Sequence, residues 1–310
     1  MDWLYVGLGL LILVLAGDVL VKGAVNLALR LGIPALVVGL TVVAFGTSAP
    51  ELLVSVQAVI RQQPGIALGN VVGSNIANIL LVLGIPAIIS TIHSSRMNLR
   101  RDYVTMFAAT VLFIGLALIG PIVWWHALIL LAGLGLMLAD NYRTAQAHRA
   151  EKEDDLEGVD PAMRGWKIAL FLGLGLVGLP LGADLLVDGA VNIARTFGIS
   201  EAVIGLTLVA VGTSLPELAT SIAAAFRKQA DVAMGNVIGS NVFNLLGIIG
   251  VAGLVGPLAV PEQMLRMDLW LMLGITVLMA PFVLLRRDIT RGVGIGFVAI
   301  YVGFVSMLVL

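Results

Sequence analysis

The chain has 310 residues, 59% of them apolar and only 12% charged, where an average globular domain carries about 25% charged residues. That balance excludes a water-soluble fold, because too little charge is left to cover a surface, whereas lipid accepts an apolar exterior. The 18 basic and 19 acidic residues nearly cancel and cysteine is absent, which excludes a nucleic-acid partner, disulfides, thiolate metal sites and cysteine nucleophiles.

Met1-Asp2-Trp3 lacks the basic start of a signal peptide, so the first apolar segment counts as a spanning helix. Apolar runs of roughly 17 to 25 residues mark spans. In chain order they are Leu4–Val21, Pro34–Ile60, Ile66–Ile89, Tyr103–Ile119, Ile122–Leu138, Trp166–Val187, Ala202–Phe226, Val232–Val255, Leu269–Leu285 and Val293–Leu310, ten in all. The runs are continuous rather than alternating, which excludes an outer-membrane barrel. The long polar connection, 140–165, carries Glu151-Lys152-Glu153-Asp154-Asp155 and reads as a solvated linker between halves 1–139 and 166–310. Fifteen of the 18 basic residues fall on the side opposite the termini. The positive-inside rule therefore places the linker in the cytoplasm and both termini outside, in a cell membrane.

Sliding the sequence against itself gives one dominant offset of 166 residues, gapless from Ala16–Gly84 against Gly182–Gly250, with about half of the positions identical. Each half holds an odd number of spans, so the second copy enters the membrane from the opposite face. The expected architecture is all-α, ten transmembrane helices in two inverted-topology repeats of five, a plan that in secondary transporters puts the site at the repeat interface near the midplane.

Glu51 and Glu217 are the acidic residues near the centre of apolar spans, where insertion costs roughly 2.5 to 3.5 kcal/mol. In Gly46-Thr47-Ser48-Ala49-Pro50-Glu51, proline supplies no N–H, so carbonyls around Ala44 to Thr47 are expected to lose their helical partners. Thr47 and Ser48 should place hydroxyls on the face of Glu51. Ala210 to Glu217 repeats the pattern with Thr213, Ser214 and Pro216. The following spans carry Gly69-Asn70-Val71-Val72-Gly73-Ser74-Asn75 and Gly235-Asn236-Val237-Ile238-Gly239-Ser240-Asn241, each followed by Asn78 or Asn244, so Ser74/Asn78 and Ser240/Asn244 share a face. Asn70, Asn75, Asn236 and Asn241 read as interhelical hydrogen-bond partners or caps of helix breaks. Asp18 and Asp184 read as interfacial charges, Asp18 within reach of Lys22. Carboxylate, hydroxyl, amide and carbonyl oxygens without Cys or His suit Ca²⁺ or Na⁺ and not zinc or copper.

These motifs resemble the two alpha repeats of the cation/Ca²⁺ exchanger superfamily, specifically its sodium/calcium exchanger branch of prokaryotic type. The Gly-Thr-Ser-x-Pro-Glu and Gly-Asn-Val-x-Gly-Ser-Asn pair occurs twice, and the second motif departs from that of the cation/proton exchangers. The resemblance implies a Na⁺/Ca²⁺ antiporter, without cofactor and not an enzyme. Ca²⁺ would be held by the carboxylates of Glu51 and Glu217 and the carbonyls of Thr47 and Thr213. Na⁺ would use the same glutamates, the hydroxyls of Ser48, Ser74, Ser214 and Ser240, and the carbonyls of Ala44 and Ala210. Asn78 and Asn244 take the remaining equatorial positions. Some relatives have Asp at one of these, so two Asn argue against potassium dependence. The family mechanism slides the first and sixth helices past a core of eight. Ca²⁺/H⁺ antiport through the same glutamates and a cation channel are the competing readings, and the motifs do not fix an oligomeric state.

Overall fold

The computed structural model describes residues 1–148, 163–198 and 210–309. In the first half, α1 spans Asp2–Leu31, α2 Ala35–Thr47 and α3 Ala49–Ile60, α4 Pro64–Ile89 and α5 Arg100–Ile119, and α6 Trp124–His148. In the second, α7 spans Gly165–Thr196, α8 Leu215–Phe226, α9 Ala230–Val255 and α10 Met264–Leu284, and α11 Arg291–Val309.

Seven of these helices are long and apolar enough to cross a membrane, and α2 with α3, bent by 44° at their junction, would make an eighth. α8 and α11 are apolar but shorter. Residues 199–209, which include the first part of the expected span Ala202–Phe226, lie outside the described residues, as do 149–162 with the acidic run of the linker. α1 runs ten residues beyond its expected end at Val21 and stops where Gly32 turns left-handed at φ 65°. The N–H of Gly32 donates to the carbonyls of Ala28 and Leu29, the C-terminal cap that glycine, free of a Cβ, makes at little cost. Helix α6 likewise continues to His148, past the expected start of the linker.

Packing divides the molecule in two. A large buried cluster includes Leu68, Ile76 and Leu80 of α4, Phe113 of α5, Leu245 and Ile249 of α9 and Met272 of α10. A smaller cluster joins Leu13, Leu20 and Ala24 of α1 to Leu179 and Ala183 of α7, Val43 of α2 and Ala224 of α8. α1 and α7 run antiparallel against each other, with Gly189 beside Asp2 and Val6, Gly182 beside Gly9 and Leu13, and Leu172 beside Gly23. A Cβ on Gly9 would lie 2.6 Å from the Leu186 nitrogen, so glycine is what lets the backbones approach. Their outer faces, with Leu10, Leu11 and Val14 on α1 and Leu170, Leu174 and Val177 on α7, are exposed, as lipid-facing surfaces should be.

Two β-bridges, Ile92↔Ile289 and Ile122↔Leu258, tie loops of one half to loops of the other; nothing in the apolar patterning announces them. Beside the first, hydrogen bonding by Ser95 and His93 holds the Asp288 carboxyl down at about 2. Asp18 pairs with Lys22 at 3.1 Å, as the spacing predicts, and also accepts from Arg227 Nε at 2.6 Å, just past the end of α8. With Asp18 more than a third exposed, this group contributes little stability.

Candidate cation site

Each acidic motif breaks a helix. Ser48 stands between α2 and α3 at φ −84°, ψ 8°, and Ser214 precedes α8 at φ −88°, ψ 3°. Pro50 and Pro216 sit in the first turn of the helix that follows, where a missing N–H has no intrahelical partner to lose and the fixed φ suits the start. Two expectations are corrected by this. Thr47 ends α2 while Glu51 lies in the first turn of α3, so these hydroxyls and this carboxylate do not share one helical face, and the Ser48 hydroxyl turns to Glu217 instead. Of the carbonyls from Ala44 to Thr47 expected to lose helical partners, that of Ala44 keeps them, accepting the Ser48 N–H at 3.1 Å and the Thr47 hydroxyl at 3.4 Å. In the second copy the Ser214 N–H goes to Val211 at 3.1 Å, and Ala210 opens a short helical turn, Ala210–Gly212. Glu51 and Glu217 thus lie in first turns of helices, where free N–H groups favour negative charge.

The next helices bend their backbones at matching places. α4 carries a π-helical segment, Asn78–Val82, and α9 one over Phe243–Ile248 that contains Asn244. Asn78 and Asn244 are 166 residues apart, and such wide turns recur at functional sites.

Matching hydrogen bonds then form within each copy and between the two. Asn70 Nδ2 donates to the Glu51 carbonyl at 3.2 Å and the Ser55 hydroxyl at 3.0 Å. Asn236 Nδ2 donates likewise to the Glu217 carbonyl and the Ser221 hydroxyl, each at 3.2 Å. The Thr47 hydroxyl donates to Asn236 Oδ1 at 3.2 Å, and that of Thr213 to Asn70 Oδ1 at 3.5 Å. Asn78 Nδ2 donates to Asn241 Oδ1, and Asn244 Nδ2 to Asn75 Oδ1, both at 3.0 Å. The Ser48 hydroxyl reaches Glu217 Oε1 at 2.9 Å. The interhelical reading of Asn70, Asn75, Asn236 and Asn241 therefore holds. Ser55 and Ser221, outside the motifs, were missed, although they too match at the repeat offset.

Ala44, Thr47, Ser48, Glu51, Ser74, Asn78, Ser214, Glu217, Ser240 and Asn244 are all buried, and Thr213 is half-buried. Among the described residues, nine buried side-chain polar atoms have no hydrogen-bond partner, and six belong to this set: Glu51 Oε2, Glu217 Oε2, Asn78 Oδ1, Asn244 Oδ1, Ser214 Oγ and Ser240 Oγ. All six are oxygens. Buried polar atoms are nearly always paired, and an ionised carboxylate only accepts. A hard cation would suit such a group, since its preferred ligands are these oxygen types.

Comparison with known proteins agrees with this chemistry. The model of the family described as sodium/calcium exchanger protein matches residues 1–140 and 167–310. The chain is 33% identical to sodium/calcium exchanger MaX1 of Methanosarcina acetivorans, covering 99% of this chain and 98% of that one. It is 36% identical to the inner membrane protein YrbG of Escherichia coli over 93% and 90% of the two chains. A solved structure of the sodium-calcium exchanger NCX_Mj, soaked with Na⁺ and Sr²⁺, superposes with a TM-score of 0.86 at 34% identity, covering 98% of this chain and 97% of that one.

Proposed function

The chain belongs to the sodium/calcium exchanger protein family, and we propose that it is an antiporter exchanging Na⁺ for Ca²⁺ across a cell membrane by alternating access. The observation that carries this is the set of six unpartnered buried oxygens, two of them from the carboxylates of Glu51 and Glu217. Two carboxylates neutralise one divalent ion, or share several monovalent ones. Ca²⁺ takes the Glu51 and Glu217 carboxylates with the Thr47 and Thr213 carbonyls. Na⁺ takes the glutamates with Ser48, Ser74, Ser214 and Ser240 and the Ala44 and Ala210 carbonyls, and Asn78 and Asn244 complete the ring. Because the sets share both glutamates, occupancy is mutually exclusive. An empty site leaves two charges in a low-dielectric interior without a counterion, so the conformational change is favoured only with ions bound.

The proposed architecture is ten spans in two inverted repeats, 1–139 and 166–310, with the termini outside and the linker 140–165 cytoplasmic. Its support is that α1 and α7, equivalent in the repeat, run antiparallel and pack through glycines, as a pair that slides past the larger core would. Gln62 and Lys228 are equivalent positions, both with positive φ, in the turns after α3 and α8. Since the chain has no cysteine of its own, Gln62→Cys and Lys228→Cys can each be probed singly with an impermeant thiol reagent. Inverted repeats predict that Gln62→Cys labels from outside and Lys228→Cys from the cytoplasm only; labelling of both from one side contradicts the topology.

The function itself is tested by ⁴⁵Ca²⁺ uptake into proteoliposomes loaded with Na⁺ and diluted into Na⁺-free buffer, beside a set with a pH gradient alone. Uptake that requires internal Na⁺ is expected. Uptake driven by the pH gradient alone makes the protein a Ca²⁺/H⁺ antiporter, and single-channel currents far above carrier rates make it a channel.

A further inference from the structure

We infer that Asn75 and Asn241 are positioning residues that decide which end of the Asn244 and Asn78 amides faces the cation. The inference rests on the reading that those two amides line a cation site. An amide has an oxygen that attracts a cation and an NH₂ that repels it, and a half-turn about its last torsion exchanges the two with almost no change of shape. Hydrogen bonds alone select the orientation. The Asn241 backbone carbonyl can only accept, and it accepts Asn75 Nδ2 at 3.3 Å. Asn75 must then turn its Oδ1 the other way, where it accepts Asn244 Nδ2 at 3.0 Å. That occupies the donor end of Asn244 and leaves its buried Oδ1 without a partner, free for an ion.

The opposite pair works by the same logic with a weaker anchor. Asn241 Oδ1 accepts Asn78 Nδ2 at 3.0 Å and so leaves the Asn78 Oδ1 unpartnered. The Nδ2 of Asn241, however, rests on Met106 Sδ at 3.6 Å, and a thioether is a weak acceptor. The Asn244 oxygen is held by a chain that ends in a backbone carbonyl, the Asn78 oxygen by one that ends in sulfur. The two halves of the site are therefore unequal, and the Asn78 amide turns more easily.

The test is equilibrium ⁴⁵Ca²⁺ binding to the purified full-length protein, in a double-mutant cycle. Asn241→Leu removes the acceptor that holds Asn78, and should weaken Ca²⁺ binding about tenfold, the lower end of what outer ligand partners contribute. In an Asn78→Asp background the side chain presents an oxygen whichever way it turns, so Asn241→Leu should change affinity less than about twofold there. Met106→Leu, close in shape, should weaken binding about twofold with Asn78 present and leave the Asn78→Asp protein unchanged, which preserves the test if Asn241→Leu does not fold. Equal losses in both backgrounds would overturn the positioning role while leaving the cation site intact. Failure of the unaltered protein to bind Ca²⁺ would overturn the site and this inference with it.

Discussion

Glu51→Gln is expected to reduce Na⁺-driven Ca²⁺ uptake by about two orders of magnitude or more, and Glu217→Gln to do the same. Glutamine keeps the shape and one oxygen, so the loss isolates the charge. Each carboxylate is 1% exposed, and removing one partner of a buried charge assembly costs about 3–5 kcal/mol, where each 1.4 kcal/mol is about a factor of ten in affinity. Ser48→Ala should be milder, since it removes one hydroxyl donor to Glu217 at 2.9 Å, a charge-assisted bond of about 1.5–3 kcal/mol. The measurement is initial uptake in proteoliposomes, with monodispersity on gel filtration as the check on folding. Near-normal exchange by either glutamine variant would remove that glutamate from the site.

The second large effect is on stability. Gly239 of α9 faces the π-helical stretch Gly39–Val43 of α2, and a Cβ there would lie 2.5 Å from the Leu40 carbonyl oxygen and 2.7 Å from the Ala44 Cβ. The obstructing atoms are backbone and a stem methyl, so no flexible side chain can yield. Gly239→Val forces α2 away from α9 and carries Ala44 and Thr47 with it. We expect destabilisation of about 3 kcal/mol or more, the upper range for overpacking, read as a lowered melting temperature in detergent together with lost Ca²⁺ binding. Gly115→Ala on α5 is the control: beyond its own stretch of helix backbone nothing lies within 4 Å of the added Cβ, so the melting temperature should hold.

Much of the fold was legible because lipid imposes simple rules on sequence. Continuous apolar runs, a linker rich in charge and a gapless self-match are one-dimensional signals, but the apolar run alone ended the first span at Val21, ten residues short of the helix end at Leu31. The buried polar residues were legible too, because Glu51, Glu217 and the paired Ser and Asn residues have no inexpensive reason to be in apolar spans. What escaped was three-dimensional. A π-helical turn at Asn78 or Asn244 widens the backbone ring without altering composition. Whether Pro50 kinks a helix or starts one depends on the φ and ψ of Ser48. The partner of an asparagine across the repeat, and the third member Arg227 of the Asp18 pair, depend on which helices pack, which no spacing along the chain records.

In the proposed exchanger Na⁺ and Ca²⁺ compete for one buried set of oxygens. Equilibrium ⁴⁵Ca²⁺ binding to the purified protein, titrated with NaCl against KCl at constant ionic strength, tests it most directly. Ca²⁺ should be displaced steeply by Na⁺, with a Hill coefficient above one because several Na⁺ replace it, and should stay bound in K⁺. Ca²⁺ that stays bound at saturating Na⁺ would contradict it, because the two ions would then occupy separate sites.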